Sequence, residues 1–422
     1  MSDAATFAAC LTPTGVAALA VIAVRGPQAW PIARSLFQPR GKSTVLPDDP
    51  QPGQFWLGRF GTDVADDVVL AIKHSGSPHD LCVAGAGVFG SPGSRQADAS
   101  EDSSPGHASL TPAIEIQCHG GRQIVRLILE SLESRGARIS TWQELEVQTD
   151  VDQIRAAARI ALADAKTTRT ATILLDQLHG AFRRAIDCVL QSIDPTAAEQ
   201  TLASIDRYSA VGMHLTRPWR VVIAGAPNVG KSSLVNALAG YQRSIVAPTP
   251  GTTRDVVTTL TAFDGWPVEL SDTAGLRVEA EDLEAEGIAL AFESARSADL
   301  CVWVVDGSVQ PTWPDSGLGS PLLVINKIDS VPAWDHAANK DAVLVSALTG
   351  SGIAELAAAL ARRLVPDPPP PGAAVPFNEL LQNGIAEALA LCRAGRLAEA
   401  INIVKMLPQN LQENLQTGLP KA

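Results

Sequence analysis

Aromatic side chains are scarce in this 422-residue chain: 9 Phe, 8 Trp and 2 Tyr make up 5% of it. With alanine abundant, that scarcity favours helix. Charge is also thin, at 18% against 46% hydrophobic residues, which excludes a disordered polyelectrolyte. Long apolar runs are missing. The longest aliphatic stretch, Val16 to Val24, is nine residues, far short of the about 20 that a membrane helix needs, so no membrane association is expected. Positive charge is in deficit, with 33 Lys+Arg against 45 Asp+Glu and a net −12. This argues against coating nucleic acid by bulk electrostatics and leaves room for a local basic surface. The six cysteines (Cys10, Cys82, Cys118, Cys188, Cys301, Cys392) show no C-x-x-C or other paired spacing. They read as reduced thiols of a cytoplasmic protein rather than zinc ligands. The N-terminus carries Asp3 and no basic region before an apolar core, unlike a signal peptide.

The length suggests two to four domains. Residues 75–112, rich in Ser, Gly, Pro, Asp and Ala, predict a long loop. Pro366-Asp367-Pro368-Pro369-Pro370-Pro371-Gly372 predicts a stiff linker. Before residue 75, Leu19 to Val24 predicts a buried strand and Trp30 to Phe37 a short helix. Ile114 to Cys118 alternates like a strand. It leads through His119-Gly120-Gly121 into a helix ending near Arg135. Over 142–215 apolar residues recur at helical spacing, predicting two or three long helices. Residues 377–422 are helical again, and 219–365 alternates strands and helices. The expected architecture is α/β: a phosphate-loop domain (218–365) inserted in an all-helical domain (141–217 and 366–422), preceded by a small α+β domain (1–140).

Trp219 to Ala224 is an apolar run suited to a buried parallel strand. It enters Gly225-Ala226-Pro227-Asn228-Val229-Gly230-Lys231-Ser232-Ser233, and a helix follows. This is G-x-x-x-x-G-K-[ST] in its strand–turn–helix context. The glycines let backbone N–H groups curl around phosphate at the positive end of a helix. Lys231 is expected on the β- and γ-phosphates and Ser232 on Mg²⁺. Further tetrapeptides follow in order. Gly251-Thr252-Thr253-Arg254-Asp255 offers Thr253, with Thr252 beside it, to Mg²⁺ and the γ-phosphate. Asp272-Thr273-Ala274-Gly275 offers Asp272 to Mg²⁺ through water and the Gly275 N–H to the γ-phosphate. In Asn326-Lys327-Ile328-Asp329, Asp329 would accept from the N1–H and exocyclic amine of guanine, a donor pair adenine lacks. Ser346-Ala347-Leu348 offers backbone to the guanine O6. Five elements in order, each after an apolar strand, specify a GTPase with a doubly wound sheet. The residue after the D-x-x-G element is Leu276, which cannot orient water, and an acidic segment follows it. Asn228 inside the phosphate loop is suited to ligate a monovalent cation such as K⁺, supplying the charge that an arginine finger gives elsewhere.

These residues resemble the tRNA-modification GTPase family MnmE, also called TrmE. The likeness extends to Ala9 to Gly15 and Ala20 to Pro27, to Glu115-Ile116-Gln117-Cys118-His119-Gly120-Gly121 and to Asp272-Thr273-Ala274-Gly275-Leu276-Arg277. It implies that Glu284, twelve positions after Asp272, orients the attacking water. It also implies a homodimer formed through an N-terminal domain that binds a tetrahydrofolate derivative. An FAD-containing MnmG-type partner, tRNA modified at C5 of the wobble uridine, and K⁺-dependent pairing of the GTPase domains complete the expectation. The family's C-x-G-K terminus has no counterpart after Cys392, and its opening G-R-G is Val16-Ala17-Ala18 here. A GTPase with impaired or partner-dependent modification activity is therefore one expectation. A GTP-driven switch or RNA/ribosome-assembly factor is the alternative. His119 is read either as a turn stabiliser or as a ligand contact. Arg122, Arg126, Arg183 and Arg184 are read mainly as solvated helix faces. Residues 218–365 hold 10 Lys+Arg and 17 Asp+Glu, so most of the net acidity lies in the GTPase segment and weighs little against a tRNA partner.

Overall fold

The computed structural model describes residues 5–13, 17–40, 46–61, 65–73, 113–241, 258–272, 298–314 and 316–418. The chain divides into two compact units, 1–156 with 411–422, and 157–410. The loop expected over 75–112 lies outside the described residues.

In the first unit, alternating apolar segments form β1 (Phe7–Cys10), β2 (Leu19–Arg25), β3 (Phe37–Pro39), β4 (Phe55–Phe60), β5 (Asp66–Lys73), β6 (Ala113–His119) and β7 (Arg138–Ile139). Their spatial order is β3-β4-β5-β6-β2-β1-β7. Neighbours are antiparallel except β1 and β7, which run parallel. Three helices accompany the sheet: α1 (Ala29–Leu36), α2 (Arg122–Ser134) and α3 (Trp142–Thr149). The period of two decides which face each residue serves. Ala8, Ile22, Val24, Ile114 and Ile116 pack with Trp30, Ala33 and Leu36 of α1 and Ile128 and Leu132 of α2. Ala9 and Ala23, one residue out of phase, pack with Leu145 and Trp142 of α3 instead. The second face is thus covered by α3 around β1 and β2, while Leu19, Phe55 and Leu57 of the sheet are exposed.

Across 142–215 the structure corrects the expectation of two or three long helices. There are six: α3, α4 (Gln153–Ala163), α5 (Thr168–Leu178), α6 (Ala181–Leu190), α7 (Pro195–Asp206) and α8 (Ser209–Met213). Three of the six helices start at side-chain caps, to which apolar periodicity is blind. Thr141 and Glu144 form a reciprocal capping box, and Thr167 forms one with Thr170. Asp194 caps α7, with Pro195 at its first position.

The second unit also holds a six-stranded sheet: β8 (Trp219–Gly225), β9 (Thr258–Phe263), β10 (Trp266–Asp272), β11 (Leu300–Asp306), β12 (Leu322–Asn326) and β13 (Val343–Leu344). The order is β13-β12-β11-β8-β10-β9, parallel throughout except for the β9–β10 hairpin. Every residue of the central strand β11 is buried, as a parallel strand covered on both faces requires. Helix α9 (Lys231–Tyr241) leaves the end of β8 and packs with α10 (Ile353–Leu364).

After α10 the chain returns to the helices that precede the sheet. α11 (Glu379–Arg393) packs on α7, and α12 (Leu397–Gly418) follows it. Phe377 meets Phe182 edge to face at 6.3 Å. Gln177, 1% exposed, donates to Ala373 O at 2.9 Å and accepts from Val375 N at 3.1 Å. One buried amide thereby seats the end of the proline-rich segment. Gln177→Ala leaves a buried carbonyl and N–H without partners, which costs about 1–3 kcal/mol. A lowered thermal midpoint in calorimetry is expected; an unchanged midpoint would show that water replaces the amide at no cost.

Candidate nucleotide site

The site is assembled where parallel strands end. β8 delivers Gly225, β11 delivers Asp306 and β12 delivers Asn326 to neighbouring positions on the carboxyl edge of the sheet, with Val304 opposite Gly225 and Asp306 opposite Asn326. This is the edge at which doubly wound sheets hold ligands. Gly225 is at φ +145°, and a Cβ there would stand 2.3 Å from Val304 O. Gly230 is at φ +94°, and a Cβ there would stand 2.4 Å from Asn326 Nδ2. Neither position admits a side chain, so the spacing of glycines in the motif has a direct steric cause. Among the described residues, the non-glycine positive φ angles fall at Asn228 (62°), Asp264 (48°) and Lys327 (64°). Two of these three lie in the expected nucleotide loops, where backbone strain concentrates at functional sites.

The loops are tied to each other by side chains. Asn326, 2% exposed, donates from Nδ2 to Val229 O at 2.9 Å and accepts at Oδ1 from Ala347 N at 3.0 Å. Lys327 Nζ donates to Asn228 O at 2.8 Å and to Asp306 Oδ2 at 2.6 Å. Ser346 Oγ donates to Asp329 Oδ1 at 2.5 Å and accepts from Thr349 N at 3.1 Å. The hydroxyl fixes one carboxylate oxygen of the residue expected to read guanine. Lys231 Nζ, at the start of α9, donates to Gly225 O and Ala226 O, both at 3.0 Å. Ser232 Oγ donates to Asp272 Oδ2 at 2.5 Å. A hydroxyl and a carboxylate facing each other are hard oxygen donors of the kind Mg²⁺ takes alongside phosphate, so this pair fits the ion. Ser233 follows, exposed, on the same first turn.

The structure brings Gly225, Asn228, Val229, Gly230, Lys231, Ser232, Ser233, Asp272, Asn326, Lys327, Asp329, Ser346 and Ala347 to this edge. Thr252, Thr253, Gly275 and Glu284 lie outside the described residues. Asp306 is a member that motif reading missed. Its signal was a carboxylate at the end of an otherwise wholly apolar strand, Leu300 to Val305. Burial by itself pushes the Asp306 carboxyl up. The hydrogen bonds from Lys327 and Ser308 and the lysine charge outweigh that and hold it below the usual carboxylate range.

The first unit carries its own polar feature. Asp66 accepts from His119 N at 3.1 Å and pairs with His119 Nδ1 at 2.7 Å. His119 is thus anchored between two strand ends. Arg126 pairs with Glu130 and Arg183 with Asp187, each one helical turn apart. Burial pushes the Cys118 and Cys301 thiols up to about 11, with Asp66 adding to the effect at Cys118. Both therefore stay protonated and inert near neutrality.

A family model described as "50S ribosome-binding GTPase" matches residues 220–338. The tRNA modification GTPase MnmE of Symbiobacterium thermophilum is 30% identical over 98% of this chain and 90% of its own length. The one from Chloroflexus aurantiacus is 31% identical over 85% of this chain and 82% of its own. Among solved structures, the G domain of the T. maritima FeoB iron transporter is 29% identical over 36% of this chain and 98% of its own, with a TM-score of 0.25. Thirty per cent identity sustained across nearly the whole chain, both compact units included, places the protein in the tRNA modification GTPase MnmE family.

Proposed function

We propose that this chain hydrolyses GTP and uses the cycle in modifying the wobble uridine of tRNA. The observation that carries the reading is the nucleotide edge itself, tied by Asn326, Lys327 and Ser346, in a chain similar to MnmE proteins over nearly its full length. Ser232 and Asp272 would hold Mg²⁺, which neutralises charge on the β- and γ-phosphate oxygens when bound. Lys231 would exchange its loop carbonyls for phosphate oxygens, and Asp329 would accept from guanine. Thr253, with Thr252 beside it, would close on the γ-phosphate, and the Gly275 N–H would sense it. Glu284 would orient the attacking water, since Leu276 has no group to do so. The Asn228 side chain would ligate K⁺ beside the β/γ bridge.

The finer proposals follow the family resemblance. They are a homodimer through the N-terminal segment, a tetrahydrofolate derivative bound there, an FAD-containing MnmG-type partner and a cytoplasmic location. The segments 1–140, 141–217, 218–365 and 366–422 are the proposed division of labour: folate and dimer contacts, helical support, GTP hydrolysis and helical completion.

Two measurements test the reading. GTP turnover by the purified chain is expected to be several-fold faster in KCl than in NaCl; equal rates would remove the Asn228–K⁺ proposal. Deleting the gene is expected to abolish the modified wobble uridine in tRNA digests analysed by mass spectrometry, with restoration by the wild-type chain. An unchanged digest in a strain without a second copy would leave a GTP-driven switch or assembly factor as the better reading.

A further inference from the structure

The Asp306 carboxylate sits under the nucleotide loops and touches none of the positions expected to contact nucleotide except through one side chain. Its side chain is 7% exposed. One oxygen, Oδ1, accepts from Ser308 N at 2.8 Å and Ser308 Oγ at 2.6 Å. The other, Oδ2, accepts from Lys327 Nζ at 2.6 Å. The same ammonium reaches Asn228 O in the phosphate loop at 2.8 Å. The backbone behind Asp306 is held as firmly. Gly307 N donates to Asn326 O at 2.8 Å, Trp334 Nε1 donates to Asp306 O at 3.3 Å, and His336 Nε2 pairs with Gly307 O at 3.0 Å.

We propose that Asp306 is a positioning residue for nucleotide binding: through Lys327 it fixes the separation between the guanine loop at 326–329 and the phosphate loop at 225–231. Each loop contains a non-glycine residue at positive φ, Asn228 at 62° and Lys327 at 64°, and strained backbone persists only where surrounding contacts over-determine it. The ammonium supplies that determination because it is shared between a carbonyl of one loop and a carboxylate rooted in the sheet. A guanine nucleotide spans the two loops, base on one and phosphates on the other. Energy spent on bringing the loops to their distance is then subtracted from its affinity. With Asp306 in place that energy is spent during folding. Charge-assisted hydrogen bonds to a mostly buried carboxylate are among the stronger ones available for the purpose.

The inference rests on the nucleotide reading of the site, and the experiment separates the two. Affinity for a fluorescent GDP analogue is measured for the wild-type chain, Asp306→Ala, Lys327→Ala and the double variant, with Asp306→Asn replacing Asp306→Ala if the alanine chain does not fold by circular dichroism. Asp306→Ala is expected to weaken GDP at least tenfold in the wild-type background and less than twofold in the Lys327→Ala background. Steady-state turnover should show the loss in KM for GTP, with kcat at saturation changed less than threefold. Asp306→Glu should recover part of the affinity. Equal losses in both backgrounds would mean that Asp306 serves only the Ser308 turn, and an unchanged affinity would mean that it serves neither; either result overturns the proposal. A wild-type chain that binds no GDP would instead overturn the nucleotide reading, and the inference with it.

Discussion

The buried carboxamide of Asn326 joins three loops that share no sequence with one another. Its Nδ2 holds Val229 O of the phosphate loop and its Oδ1 holds Ala347 N of the last motif, while its own backbone ends β12. A carboxamide is suited to this because it is donor and acceptor at once, without charge, and so is buried at lower cost than a carboxylate or ammonium. Neighbouring features of the site follow from where it sits. Gly230 is excluded from having a Cβ by the amide's position, 2.4 Å away. Ala347 N is held at the amide oxygen, and the hydroxyl of the preceding Ser346 donates to Asp329. A residue most easily taken for a ligand contact is thus one of the ties between the loops.

Charge enters one layer further out. Asp306 and Lys327 form an ion pair at the rim, with side chains 7% and 37% exposed. Such a pair gains Coulomb energy that bulk water would erase, yet keeps enough solvent on the lysine to limit its desolvation cost. The division is economical: a neutral amide in the dry interior, an ion pair at the wet edge, and strand ends that bring both to neighbouring positions. The parallel sheet makes this possible because all its carboxyl ends face one way.

Most of the nucleotide edge was legible in the sequence because its chemistry depends on short spacings. Gly225 to Ser232 and Asn326 to Asp329 are local, and each follows an apolar run whose length fixes where the loop begins. The doubly wound sheet was legible for the same reason. The helix breaks in 142–215 were not. Thr167 and Asp194 cap the starts of α5 and α7 without disturbing the apolar stripe, since each successive helix turns its own face to the core. Asp306 with Lys327, and Asp66 with His119, were illegible because the partners stand 21 and 53 residues apart. Only strand order brings them together, and strand order is a property of the whole sheet.

Bulk charge also reads differently once the site is in place. The segment 218–365 carries an excess of acidic residues, 17 against 10 basic, and is yet the segment that takes a polyanionic nucleotide. There is no contradiction, because charges more than about 8 Å apart are largely screened at physiological ionic strength. What phosphates would meet at contact range is the N-terminal turn of α9, with its positive dipole end, and the ammonium of Lys231. The Lys231 ammonium lies along the loop, donating to Gly225 O and Ala226 O. Asn326, Lys327 and Asp306 tie that loop to the sheet, so the backbone around the ammonium is held by contacts of the fold itself.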